Sequence, residues 1–125
     1  MLQAEELKQK IQGFKSPILD LKEAIGYEKL KEKIRSLEAQ SFGGTFWNDS
    51  AESSKILREI KRAKDKLGAF DALWEKYEDA LTLLEITAEE EGEDALEEVH
   101  QYAVELNHSI ENMRLSTLLR GEYDG

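Results

Sequence analysis

Cysteine is absent from this chain, and that removes disulfides, thiolate catalysis and cysteine-based zinc sites together. Proline occurs once, at Pro17, beside eight glycines and 35% charged residues, a composition that fits a mostly helical protein and not a turn-rich β-sandwich. No apolar run approaches the roughly 20 residues needed to cross a bilayer, and Met1 leads at once into a charged amphipathic stretch. No membrane association and no signal peptide are expected, which makes the cytoplasm the default location. Basic residues are outnumbered, 17 against 27 acidic, for a net charge of −10. Bulk electrostatics therefore cannot hold a polyanion, because tight nucleic-acid binders present a basic face.

What is present is unevenly distributed. Residues 1–67 carry 14 Lys and Arg against 11 Asp and Glu, whereas residues 68–125 carry 3 against 16. Any contact with RNA is thus local, and the candidate is the run Lys55, Arg58, Lys61, Arg62, Lys64 and Lys66. On a helix Lys55, Arg58, Arg62 and Lys66 form one stripe, rotated away from the apolar positions Ile56, Ile60, Ala63 and Leu67. A solvated face, paired with the acidic half across the bundle, is the bland account of such a run; a docking surface for a partner is the sharper one.

Apolar periodicity supplies the architecture. Ile56, Ile60, Ala63, Leu67, Phe70, Trp74, Tyr77, Leu81, Leu84 and Ala88 alternate by 4 and 3, the heptad mark of a helix burying one seam. A helix over residues 50–89 would run roughly 60 Å at about 1.5 Å per residue. Asp49 and Glu52 form a D-x-x-E capping pattern at its start. Ala4, Leu7, Ile11, Phe14, Ile18, Leu21 and Ile25 keep the same rhythm through Pro17, which predicts a helix over 2–25 with a kink there and one continuous face. Gly26 stops this segment, a short helix follows over 28–40 on Leu30, Ile34 and Leu37, and residues 41–49 form a hinge containing Gly43-Gly44. The acidic stretch 89–93 turns the chain, and a last helix over 94–120, capped by Asp94 and Glu97, carries Leu96, Val99, Ala103, Leu106, Ile110, Met113 and Thr117. Arg120 and Gly121 supply a cation and a left-handed stop at its end. Rings as large as Phe70, Trp74 and Tyr77 on successive rungs fit poorly into a two-stranded coiled coil. A third helix has to widen the core, and the N-terminal ladder supplies it. The fold class expected is all-α: an elongated antiparallel bundle of three to four helices with coiled-coil-like packing, in a single domain over 1–125.

Chemistry-bearing fragments do not assemble. Glu97-x-x-His100 and Glu105-x-x-His108 have the E-x-x-H spacing of di-iron bundles, but both lie on one helix, with Glu97, Glu105 and His108 rotated away from the seam and His100 at its flank. Gly43-Gly44-Thr45 lacks the Lys-Ser/Thr of a phosphate loop, and no Ser, His and Asp arrangement is recoverable. No catalytic residue, cofactor or metal site is expected, and the chain is read as a non-enzyme.

Two end motifs carry a resemblance. Phe46-Trp47-Asn48-Asp49, opening a long helix, is similar to the Phe/Val-Trp-Asn-Asp/Glu hinge of bacterial peptide chain release factor 2 proteins. Leu118-Leu119-Arg120-Gly121-Glu122-Tyr123-Asp124 resembles that family's Leu-Leu-Ser-Gly-Glu-Tyr-Asp, which closes its N-terminal helical domain. Gly44-Thr45 stand where the family has a Pro-Asp pair, and Arg120 where it has serine. The resemblance implies that Phe46, Trp47, Asn48 and Asp49 are a structural hinge and that Gly121, Glu122, Tyr123 and Asp124 are a domain junction, leading in the family to β-rich central domains. It implies a part in translation termination at UGA and UAA codons. The family's Gly-Gly-Gln release loop and Ser-Pro-Phe codon-reading loop do not occur in this sequence. By the same resemblance the partners are the ribosome at its stalk base, protein or rRNA, and the termination GTPase release factor 3, with Lys55, Arg58, Arg62 and Lys66 as contact candidates. The chain is expected to be a monomer. A free-standing helical scaffold or adaptor, dimerising through exposed heptad surface, is the alternative from a different class.

Overall fold

The computed structural model describes residues 3–89 and 93–121. It contains five α-helices, α1 (Ala4–Gln12), α2 (Lys15–Ala24), α3 (Tyr27–Gln40), α4 (Ser50–Ala88) and α5 (Glu93–Gly121), and a 3₁₀ turn at Phe46–Asn48. Among the described residues there is no β-strand. The fold is all-α, with three arms: the bent succession α1–α2–α3, then α4, then α5.

The first arm bends twice. The interruption lies at Gly13-Phe14, between α1 and α2, and not at Pro17, which is the third residue of α2. The displacement follows from proline chemistry. Pro17 has no N–H to give the carbonyl one turn earlier, at Gly13, and its ring crowds that carbonyl, so the ladder opens a turn ahead of the proline. The chain crosses the gap with a short-range bond from the Phe14 N–H to the Ile11 carbonyl, 3.0 Å, and the ordinary helical ladder resumes with the Ile18 N–H to the Phe14 carbonyl, 3.1 Å. The apolar face survives the bend, with Leu7, Ile11, Ile18 and Leu21 all buried. The second bend is at Gly26, whose φ of 70° is left-handed, a conformation that costs an L-residue roughly 1–2 kcal/mol and glycine almost nothing.

The arms run antiparallel. Lys64 meets Glu38 at 2.9 Å and the Tyr27 hydroxyl meets Asp71 at 2.8 Å, which align α3 with the first half of α4. Lys76 lies 3.4 Å from the Ser109 hydroxyl, which aligns α5 with the second half. The main core joins Leu7, Ile11, Ile18 and Leu21 to Phe70, Leu73, Tyr77, Ala80 and Leu84 of α4 and to Val99, Ala103, Leu106 and Ile110 of α5. The third helix required by the aromatic rungs is thus the α1–α2 arm. Beyond this core, Ile56, Ile60 and Ala63 of α4 are buried at the end where α3, with Ile34, packs on α4.

The α4 seam departs from the sequence ladder in its second half. Leu73, Ala80 and Thr87 are buried, while Trp74 and Leu81 are half-buried and Ala88 is exposed. Helix α4 packs against α3, the α1–α2 arm and α5, and the core it shares with the α1–α2 arm and α5 runs from Phe70 through Leu84. A helix between two neighbours buries a wider stripe than an a/d seam, so the stripe there spreads to either side of Phe70, Tyr77 and Leu84. Helix α5 begins at Glu93, which puts Asp94 inside the helix and not at its cap, and it continues through Gly121, so that glycine does not stop it early. The expected turn residues 90–92 and the junction residues Glu122, Tyr123 and Asp124 lie outside the described residues.

Candidate docking surface

Helix α4 owes its start to Asp49. This residue is extended, at φ −112° and ψ 101°, and its Oδ1 accepts from the backbone N–H groups of Ala51 and Glu52, each at 3.1 Å. Those bonds satisfy two donors that a helix N-terminus leaves without partners, and the carboxylate suits the positive end of the helix dipole. Just ahead of it, Phe46 and Trp47 pack edge to face, with centroids 4.6 Å apart and planes at 89°. Phe46 is half-buried against the bundle end, whereas Trp47 is 62% exposed. The motif Phe46-Trp47-Asn48-Asp49 thus forms the 3₁₀ turn and the helix cap that reverse the chain between α3 and α4.

The basic stripe begins one turn beyond that cap. Lys55, Arg58, Arg62 and Lys66 are all exposed, and among the described residues none of the four forms an ion pair. Their neighbours differ: Lys61 pairs with Asp65 at 2.8 Å and Lys64 with Glu38 at 2.9 Å. Arg62 and Lys66 line a groove over α4, between α3 and α5, together with Lys33, Leu30 and Ser116; Glu59 and Asp65 are its carboxylates. Unpaired cations cost nothing while hydrated and become available to a partner that brings negative charge, which is how such rims steer association.

The E-x-x-H fragments do not converge. Glu97, Glu105 and His108 are exposed on α5, and His100 is half-buried. The His100 Nδ1 is buried without a hydrogen-bond partner. Among the described residues no three histidine or carboxylate side chains gather at a metal-binding distance.

One cluster carries no sequence motif. Tyr27, at the start of α3, donates its hydroxyl to Asp71, packs edge to face on Phe70 at 5.4 Å, and has Lys22 and Lys31 over its ring at 4.8 and 5.6 Å. The bond to Asp71, with burial and that same negative charge, raises the Tyr27 hydroxyl above its ordinary value. Burial, with Glu78 nearby, raises Tyr77; burial, with Asp79, Glu105 and Glu75, raises Tyr102. A lone tyrosine after a glycine has no periodicity to announce it; the only signal was the left-handed Gly26, which marks the bend that Tyr27 pins.

No protein-family model matches the chain, and no solved structure does. Curated relatives do. Peptide chain release factor 2 of Corynebacterium diphtheriae is 31% identical over 109 residues, which cover 87% of this chain and 29% of that protein. Release factor 2 of Mycobacterium sp. (strain KMS) is 30% identical over 117 residues, 91% of this chain and 32% of that protein. That of Clostridium perfringens (strain SM101) is 27% identical over 124 residues, 99% of this chain and 34% of that protein. The chain spans about a third of the length of the curated relatives it matches. It is a distant homologue of release factor 2, aligned over nearly all its own length, and its all-α fold is consistent with a helical domain of that class 1 release factor family.

Proposed function

We propose that this chain is a ribosome-docking helical module of a class 1 release factor, acting in termination at UGA and UAA codons without itself hydrolysing peptidyl-tRNA. The observation that carries the reading is the exposed stripe Lys55, Arg58, Arg62 and Lys66, four cations on one face of α4 with no ion pair among the described residues, in a molecule of net charge −10. Four like charges on one face of a helix make a local positive patch that a negatively charged surface can meet. Distant homology to release factor 2 supplies the context, and the ribosome the negative surface. Its stalk base, as protein or rRNA, is the proposed contact, with release factor 3 as a second partner. The rigid arms, with α4 roughly 58 Å long at about 1.5 Å per residue, suit a spacer that carries the stripe to a distant site. Release chemistry is assigned elsewhere because neither Gly-Gly-Gln nor Ser-Pro-Phe occurs in the sequence.

Co-sedimentation with 70S ribosomes tests this. The parent chain pellets with ribosomes in a salt-sensitive manner, and changing all four stripe residues to glutamate weakens binding at least about tenfold while leaving helical circular dichroism intact. Undiminished binding by that variant overturns the stripe as the contact. Stop-codon-dependent peptide release by the chain alone overturns the non-catalytic reading.

A further inference from the structure

The end of α4 that begins at Asp49 gathers cations from more than one helix. The groove over α4, between α3 and α5, has a volume of about 880 Å³. Leu30, Ala63 and Ala69 make its apolar lining, Lys33 of α3 joins Arg62 and Lys66 of α4 as its cations, and Ser116 of α5 adds a hydroxyl. Lys33, Arg62 and Lys66 form no ion pair among the described residues, and Asp65, one of the two carboxylates at the groove, is held by Lys61 at 2.8 Å. Glu59 alone is left to offset three cations. The charge continues beyond the groove, since Arg58 and Lys55 are exposed and carry it toward the helix start. From Lys66 to Lys55 the row covers about 16 Å, with a cation at every third or fourth residue, at about 1.5 Å per residue. Such a row suits an anion that repeats, as a phosphodiester backbone does, whereas carboxylates on a protein surface have no fixed repeat.

A second observation at the same end separates nucleic acid from acidic protein. The turn leading into α4 exposes two aromatic rings, Phe42 at 87% and Trp47 at 62%, and neither belongs to the core. Trp47 is held in place, because half-buried Phe46 meets it edge to face at 4.6 Å. Asp49, two residues further on, directs its carboxylate into the helix cap, and Lys55 follows in the second turn of α4. Proteins that bind single strands combine these two features: bases stack on exposed rings whatever their sequence, and cations track the backbone. A partner that brought only carboxylates would use the cations and leave the rings in water.

We propose that this end of the molecule binds an unpaired segment of RNA, with phosphates along Lys55, Arg58, Arg62, Lys66 and Lys33 and bases stacked on Trp47 and Phe42. This binding rests on the ribosome-docking reading and narrows it: the contact is RNA and not protein, and α3 and the α3–α4 turn take part beside the stripe.

Fluorescence anisotropy of a short labelled oligouridylate, titrated with the 125-residue chain, provides the test. The parent binds, and with four phosphates neutralised its affinity falls about fiftyfold between about 50 and 200 mM salt, at a logarithmic slope of about −0.7 per phosphate. Lys33→Glu, outside the stripe, weakens binding at least about tenfold and Lys33→Arg retains it. Trp47→Ala weakens it at least about fivefold, while Trp47→Phe keeps most of it. Phe42→Ala, at the more exposed ring, serves if Trp47→Ala loses helicity. Lys10→Glu on α1, which does not line the groove, stays within about twofold of the parent because a distant exposed charge is screened. Three results overturn the proposal: poly-L-glutamate of equal charge displacing the RNA as well as unlabelled oligouridylate does, folded Lys33→Glu or Trp47→Ala binding like the parent, or an equal loss from Lys10→Glu. Co-sedimentation with 70S ribosomes separates this failure from that of the docking reading. A parent that pellets but does not bind oligouridylate loses the RNA contact and keeps the docking, and one that does neither loses both.

Discussion

Single side chains decide how the arms begin and meet. Asp49 has no part in the core, yet both of its accepted bonds serve the first turn of α4. Asp49→Ala removes them and is expected to cost about 1 kcal/mol of stability, as loss of a helix cap generally does; urea denaturation measures it, and an unchanged midpoint counts against the cap as drawn. Asp49→Asn, which keeps an acceptor, should recover most of the loss. The cap was legible in the sequence because D-x-x-E directly before an apolar ladder has a local cause. The Tyr27–Asp71 bond was not legible, since its partners are 44 positions apart and nothing local relates them. The basic stripe lies between these cases. That Lys55, Arg58, Arg62 and Lys66 share a face followed from helical spacing, as did the Lys61–Asp65 pair four positions apart, but that Lys64 finds Glu38 while none of the four has an ion pair among the described residues depended on where α3 came to lie.

At the scale of elements, a 4-3 alternation specifies that a helix is buried on one side but not how many neighbours bury it. The α4 ladder put Ile56, Ile60, Ala63, Phe70, Tyr77 and Leu84 in positions that are buried, but Leu67, Trp74 and Leu81 are half-buried while Leu73 and Ala80 are buried, because more than one neighbour packs on α4 and the buried stripe is wider than a seam. This shift is testable by paired truncations. Leu73, 3% exposed, belongs to the main core, and Leu73→Ala is expected to cost about 2–5 kcal/mol. Leu67, half-buried between the two packing zones, should lose clearly less on truncation, under about 2 kcal/mol. Chemical denaturation of the two variants side by side is decisive: equal losses, or a larger one at Leu67, would restore the uninterrupted ladder. The bend in the first arm teaches the same lesson. Pro17 announced an interruption, but proline perturbs the carbonyl one turn before it, so the opening lies at Gly13-Phe14 while the apolar face carries on.

For the whole molecule, the three arms are joined by contacts that respond in the same direction to alkali. Tyr27 ties the bent arm to α4, Tyr77 sits in the core, and Tyr102 of α5 packs against that core beside Asp79 and Glu75 of α4. Each of these hydroxyls titrates above its ordinary value of 10.0. The neutral form is therefore favoured by folding, and above that ordinary value the folded chain holds protons that the unfolded chain has released. Stability rises with pH only where the unfolded state binds more protons; here the folded state does, so stability falls. The contribution is complete below pH 10 and declines as pH climbs through the raised values, where each new phenolate also adds charge to a chain already at −10. Thermal melts followed by circular dichroism are expected to be level between about pH 8 and 9.5 and to drop steeply above about pH 10. Tyr27→Phe lowers the plateau by removing the bond to Asp71 and makes the alkaline decline shallower, because one of the three shifted protons is gone. A decline of unchanged steepness in that variant would exclude Tyr27 from the alkaline transition and leave the fall to Tyr77 and Tyr102, the two hydroxyls raised first by burial and then by nearby carboxylates.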